Sequence, residues 1–301
     1  MVRKWHSNRM ETFSIAVDGG RSVDVTVAGP PDGLPFVFHT GTPSGLATFR
    51  PVIDAAAGRG LRYIQYARPG YGGSAPLPGR RVASAVADLA AVLDHLGAGR
   101  FITAGWSGGG PHALACAALL PGRCAAAASI AGVAPRQADG LDWLAGMAAE
   151  NVAEFGAAER GEAELTALLS AAAEVMAAVT GEQVAAELGG LVTAADRNAL
   201  TGEFADYLAA LFRSALSTGI AGWRDDDLAF TADWGFDPGQ ITVPVAVWQG
   251  DQDAMVPFAH GQWLADRIPG ARAHLLSGDG HLTLILRHFG AILDDLAELG
   301  R

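Results

Sequence analysis

Four short apolar runs in the first 134 residues, each followed by a stretch of helical spacing or a turn, constrain this chain most. They are residues 35–39, 61–67, 101–104 and 125–133. A strand that is apolar on both faces belongs inside a parallel sheet covered by helices on both sides. The intervening stretches supply those helices. Residues 46–57 end at Gly58-Arg59-Gly60, and residues 110–120 are rich in alanine and leucine. In residues 82–96, Val82, Val86, Leu89, Leu93 and Leu96 recur at helical spacing before Gly97. Ahead of them, residues 12–17 and 22–28 alternate apolar and polar positions around the turn Asp18-Gly19-Gly20-Arg21, which predicts a hairpin. Strands alternating with helices predict an α/β chain built on a mostly parallel, twisted sheet.

The pattern changes at Pro135. Up to Gln240 there is no strand signal, and three amphipathic helices are expected. Leu141, Leu144, Ala148, Val152 and Phe155 share one face; so do Leu165, Leu168, Leu169, Ala172, Met176 and Val179, and Leu200, Phe204, Tyr207, Leu208, Leu211 and Ala215. This block carries 18 acidic and 5 basic residues, so it holds all of the chain's net charge of −11 and more. The α/β pattern resumes with strands at 241–248 and 271–276 and helices at 258–268 and 282–299. The expected organisation is a core of 1–134 and 241–301 interrupted by an all-helical insertion, 135–240.

Half of the 301 residues are hydrophobic, enough for a sizeable core. The acidic balance argues against nucleic acid and against anionic membrane surfaces as partners. The start of the chain, through Met10, lacks the apolar run of a signal peptide, and the most apolar stretch, 112–134, is broken by Pro121-Gly122-Arg123. Cys116 and Cys124 form neither a disulfide framework nor metal-ligand spacing, so no metal site is expected. Buried free thiols fit a reducing cytoplasm.

Chemistry concentrates at Gly105-Trp106-Ser107-Gly108-Gly109, between the strand 101–104 and the helix 110–120. This is the form of a nucleophile elbow, in which a sharp strand-to-helix turn exposes a serine. Small residues on either side give the turn room, and the amide of Gly108 lies near the positive end of the helix. A serine hydroxyl needs a base, held in one tautomer by an acid. Asp253 follows the strand ending at Trp248 and His281 follows the strand ending at Leu276, both at carboxyl ends of strands, where catalytic groups of open parallel sheets gather. Asp251 is the competing acid, and spacing favours Asp253. His274 falls in a strand and His260 and His288 on helices, so all three read as structural.

Together these motifs resemble the α/β-hydrolase family over nearly the whole chain. The elbow is Gly105–Gly109; the acid turn is Gly250, Asp253, Val256 and Pro257; the Gly-His motif is Gly280-His281. The oxyanion loop resembles His39-Thr40-Gly41-Thr42-Pro43, and an arginine–glycine turn resembles Arg68-Pro69-Gly70-Tyr71-Gly72-Gly73-Ser74. The resemblance implies an α/β-hydrolase fold with an inserted all-helical cap. It also implies a Ser107–His281–Asp253 triad and oxyanion donors at Gly108 and Thr42. Thr40 separates His39 from Gly41 where the family has His-Gly, so Gly41 stays open as the second donor. His39 is expected to brace this loop by hydrogen bonding, and Arg68 to tie loops together.

Such a site would cleave the ester or a related acyl bond of a small molecule without a cofactor. Serine at 107 argues against the family's epoxide hydrolases and dehalogenases, which use aspartate there. A proline-iminopeptidase-like aminopeptidase is the rival within the family; it would need cap carboxylates, for which Glu150, Glu154, Glu203 and Asp206 are candidates. A ligand receptor or cofactorless lyase on the same scaffold is the rival of another class. Trp106 could line the acyl pocket or merely pack, and Trp143, Trp223, Trp234 and Met147 are candidates for a pocket beneath the cap.

Overall fold

The computed structural model describes residues 10–301, so the reading of the first nine residues lies outside it. Eight strands form one sheet in the order β1-β2-β4-β3-β5-β6-β7-β8. Strands β1 (Glu11–Val17) and β2 (Arg21–Ala28) are the expected antiparallel hairpin, closed by a short turn with Gly19 at φ +76°. Strand β2 also runs antiparallel to β4 (Leu61–Tyr66). From there the sheet is parallel through β3 (Leu34–His39), β5 (Phe101–Trp106), β6 (Cys124–Ile130), β7 (Val245–Gly250) and β8 (Arg272–Leu276).

Side chains leave a strand on alternate faces, and the two cores follow that period. Phe36, Phe38, Tyr63, Ile102 and Ala104 join one buried cluster; Val37, Ile64 and Phe101 join the other. The first is covered by α1 (Arg50–Ala57) and α11 (His281–Leu299), the second by α2 (Ala85–His95), α3 (Gly109–Leu119) and α10 (Phe258–Arg267). Helix α3 lies close on the sheet because the contact is built from small residues: a Cβ on Gly110 would come 2.9 Å from Ser129 Oγ of β6. Most strand ends fall within two residues of expectation, and the two that differ by three or four do so for local reasons. Strand β6 stops at Ile130 because Ala131 has φ +48°, and β7 starts only after Pro244, which has no N–H to give a ladder.

Between β6 and β7 lie six helices where three were expected: α4 (Ala149–Arg160), α5 (Glu162–Met176), α6 (Gly181–Glu187), α7 (Ala194–Arg197), α8 (Gly202–Leu216) and α9 (Ala221–Thr231). The first expected helix begins eight residues late, since Gly146 at φ +87° interrupts it. Helices α6 and α7 are too short to show a period. Helix α9 breaks the amphipathic rule outright, because its Asp225, Asp226 and Asp227 are all buried. Among the described residues no helix is long and apolar enough to cross a membrane.

Candidate active site

Ser107 sits between β5 and α3 with φ +58°, one of only two non-glycine residues in the left-handed region among those described. Such a conformation is costly for a side chain and persists only where packing enforces it. Here packing does. A Cβ on Gly105 would lie 2.0 Å from the carbonyl oxygen of Gly109, and one on Gly109 would lie 2.1 Å from that of His39. The turn is pinned by Ser107 N–H donating to Ile130 O (2.9 Å) and Gly110 N–H donating to Ser107 O (2.9 Å).

His281 is the first residue of α11 and is buried, with Nδ1 2.8 Å from Asp253 Oδ2. The Asp253 carboxylate is itself held. Its Oδ1 accepts the amides of Met255 and Val256 (both 2.8 Å), and Oδ2 also accepts Gln249 Nε2 (3.1 Å). Burial opposes a charge on His281, but the charge and hydrogen bond of Asp253 outweigh it and raise the imidazole above its ordinary pKa. Nε2 is thereby left as the ring's reactive nitrogen. Both Ser107 and His281 line one cavity, although no hydrogen bond joins the serine hydroxyl to the ring; such contacts commonly tighten only with substrate bound. Asp251, the competing acid, is exposed and accepts Ser277 Oγ (2.9 Å) and Gly278 N–H (2.8 Å), so it ties a loop instead.

The loop 39–43 approaches the serine closely: a Cβ on Gly41 would stand 3.1 Å from Ser107 Cβ. Its brace is Arg68, whose Nη1 and Nη2 donate to Thr40 O and Gly41 O (both 2.7 Å). His39, expected to do this, does not. It is buried beneath the loop with only the Cys116 thiol near Nε2 (3.7 Å), and burial drives its pKa well down. A guanidinium reaches two carbonyls at once, which one imidazole cannot.

Arg68 is balanced by a residue absent from the sequence reading. Asp226 of α9 accepts from Arg68 Nη2 (2.6 Å), Tyr71 Oη (2.9 Å) and Thr42 Oγ1 (2.8 Å), and pairs with Arg80 Nη1 (2.7 Å). The carboxylate is fully buried. Burial alone would favour its neutral form, but Arg68 and Arg80 reverse that and hold its pKa well below the usual carboxylate range. The run Asp225-Asp226-Asp227 was the available signal, since three acids in a row beside Trp223 are hard to place on a solvated face.

The cavity has a volume of about 390 Å³. Gly41, Thr42, Trp106, Ser107, Gly108 and His281 contribute its sheet side; Phe155, Leu168, Leu211, Phe212, Trp223 and Phe230 contribute much of its helical side. Trp106 also packs, donating Nε1–H to His281 O (3.2 Å). Of the other aromatic candidates only Trp223 reaches the cavity. Trp143 and Trp234 bond to backbone carbonyls of Ala134 (2.7 Å) and Phe230 (3.3 Å), and Met147 joins the core. Of the acidic candidates Glu150 and Glu154 line the cavity, while Glu203 and Asp206 are exposed elsewhere. Asp227 joins them. Burial raises the pKa of both carboxyls; the neighbouring Glu154 raises that of Asp227 further, whereas Asp227 and Trp223 offset part of the rise on Glu154. Trp223 Nε1–H donates to Glu154 Oε1 (2.7 Å), whereas Asp227 Oδ2 has no amide, hydroxyl or cationic donor among the described residues.

The model of the α/β hydrolase fold family matches residues 35–287. The chain belongs to that family. Solved structures of this α/β hydrolase's relatives share its architecture across nearly their full lengths. A bromoperoxidase from Bacillus anthracis is 21% identical at a TM-score of 0.71, covering 96% of this chain and 99% of its own. An enol-lactonase from Burkholderia xenovorans is 20% identical at 0.69, covering 95% and 100%. An esterase from Rhodococcus is 23% identical at 0.65, covering 96% and 99%. No curated protein sequence matches the chain significantly.

Three histidines read as structural, His260, His274 and His288, make contacts away from Ser107. His260 Nδ1 accepts Ala134 N–H (3.1 Å) and Nε2 lies 2.9 Å from Trp143 O; burial lowers it to about 4. His274 and His288 meet Asp295 and Asp279 (2.9 and 2.8 Å). Among the described residues no group of side chains has the makings of a metal site.

Proposed function

We propose that this protein is a serine hydrolase that cleaves a carboxylic ester or related acyl bond. The observation that carries this is a left-handed Ser107 opening on the same cavity as an imidazole paired to a fixed carboxylate. His281 Nε2 takes the proton of Ser107 Oγ as that oxygen bonds to the acyl carbon. The backbone N–H groups of Gly108 and Thr42, with Gly41 as the alternative to Thr42, receive the developing oxyanion; one such donor is worth about 3–4 kcal/mol in other enzymes. The imidazolium then returns its proton to the leaving alcohol. Water, deprotonated by the same nitrogen, attacks the acyl-enzyme and releases the acid and Ser107. Helices α4–α9 act as the cap over a pocket lined largely by apolar side chains, which suits a substrate with an apolar part. The buried thiols Cys116 and Cys124 suit a reducing compartment such as the cytoplasm.

The test is intact-protein mass spectrometry after a fluorophosphonate probe. One adduct on the parent chain, absent from Ser107→Ala, is the expected result. No adduct on the parent would overturn the reading in favour of a receptor or lyase.

A second reading is favoured by one observation, the Glu154–Asp227 pair in the wall of the cavity that Ser107 also lines. Two carboxyls that share a proton in an apolar wall would exchange it for a cation, so the substrate would bear a basic nitrogen, as an aminopeptidase's does. Faster cleavage of a proline arylamide than of a neutral aryl ester would establish it over the simple esterase.

A further inference from the structure

We propose that Asp196, on the inserted helical segment, is a positioning residue for the reaction at Ser107: its carboxylate seats the first turn of α11 and so fixes where His281 stands. This rests on the serine hydrolase reading above.

The first amides of a helix have no partner within it, and the residue just before the helix ordinarily supplies one. Before α11 that residue is Gly280, which has no side chain to offer. The partner comes from 86 and 87 positions away instead: Asp196 Oδ1 accepts Leu282 N–H (3.0 Å) and Thr283 N–H (2.8 Å). It also accepts Thr283 Oγ1–H (3.0 Å). These are the two residues that follow His281. Glycine at 280 is what makes the approach possible, since a Cβ there would lie 2.4 Å from Asp196 Oδ2. The Gly-His pair noted in the sequence is therefore a space requirement of a carboxylate on another element.

Asp196 is fully buried, and its Oδ2 has no hydrogen-bond donor among the described residues. Its charge faces the positive end of α11 and the imidazole on it. Among the other charged groups near His281, Glu150, Glu154, Glu187 and Asp227 line the same cavity, and the rest have partners or face solvent. Asp253, after β7, bonds Nδ1; Asp279, before α11, is taken by Arg287 (2.9 Å) and His288 (2.8 Å); Arg197, beside Asp196 on α7, is exposed. Burial lowers the proton affinity of His281, Asp253 raises it most, and Asp196 adds to that rise. One carboxylate thus sets both the seat of the base and part of its basicity.

The experiment compares Asp196→Asn and Asp196→Ala with the parent on an aryl ester, recording kcat and KM across pH and the melting temperature. Asparagine keeps an oxygen for the amides but loses the charge; alanine loses both. The expected result is that alanine lowers kcat about ten- to a hundredfold with KM little changed, the cost of a displaced catalytic group. Asparagine should recover most of that rate, with the acid limb of its profile moved to lower pH. Variants that keep the parent's kcat and profile, whatever their melting temperature, would overturn the proposal. If the alanine variant does not fold, the profile of the asparagine variant decides alone. A parent chain that takes no fluorophosphonate adduct overturns the hydrolase reading itself, which the variants' profiles do not address.

Discussion

Asp253 and His281 meet through one carboxylate oxygen only: Oδ2 lies 2.8 Å from Nδ1, while Oδ1 is occupied by two backbone amides. The acid cannot swing away without releasing those amides, so the ring is held in a single orientation and tautomer. Asp253→Asn would present a donor or a weak acceptor in the same place. A loss of about 10⁴-fold in kcat is expected, as for the equivalent change in another serine hydrolase. Asp251→Asn should lower kcat less than about threefold, because its bonds serve a loop. Steady-state kinetics on one aryl ester checks both, and the reverse order would reassign the acid.

Ser107→Ala should reduce hydrolysis by up to about 10⁶-fold, by analogy with other triads. More than a tenth of the activity remaining in the variant would mean that another nucleophile operates.

The raised pKa of His281 has a defined sign in the kinetics. If His281 is the base it must be neutral to accept the serine proton, so kcat/KM should rise with pH through an inflection above the ordinary imidazole value of 6.5. For stability, protonated His281 contributes fully below its unfolded value and loses that contribution as pH rises through the folded one. A kcat/KM profile with its inflection below 6.5 would contradict the assignment.

Asp226→Asn leaves Arg68 and Arg80 buried without their anion. Breaking a buried pair in this way typically costs about 3–5 kcal/mol, which chemical denaturation would register. Because the folded pKa of Asp226 is lowered, its contribution is present above the unfolded carboxylate value and lost only as pH falls through the lowered one. Wild-type stability in Asp226→Asn would falsify its part in bracing Arg68.

Asp227→Asn should behave oppositely. It removes a carboxylate whose ionisation is opposed by burial and by Glu154, so melting at neutral pH should be unchanged or higher. If the pocket prefers basic nitrogen, KM for an amino-bearing acyl substrate should rise at least about tenfold while a neutral ester is unaffected. Equal effects on both substrates would argue for a general role in pocket shape.

Much of the core was legible in the sequence because its strands are buried on both faces and its helices keep one apolar stripe. The sharp turn at Ser107 and the pairing of Asp253 with His281 could be anticipated because each residue lies in a turn whose glycines and spacing are unusual. What the sequence concealed has a common physical cause. Asp226, Arg80 and His112 are polar residues whose burial depends on one another across distant segments, so none shows its role locally. Asp196 caps a helix it does not belong to. His39 looked like the brace of its loop; the carbonyls are held instead by Arg68, the expected tie between loops. Helix α9 was missed because paired charges in its interior erase the apolar period on which such readings depend.

The Arg68–Asp226–Arg80 cluster also bears on how such a protein could be altered. The loop beside Ser107 is held by an arginine of the core, and that arginine is neutralised by an aspartate of the inserted helices. Trimming the insertion to widen access would strand two buried cations beneath that loop. Grafting another family member's lid would do the same unless an acid were supplied at the place of Asp226. The inserted helices and the loop beside Ser107 therefore form a single unit of inheritance, to be exchanged together or left alone.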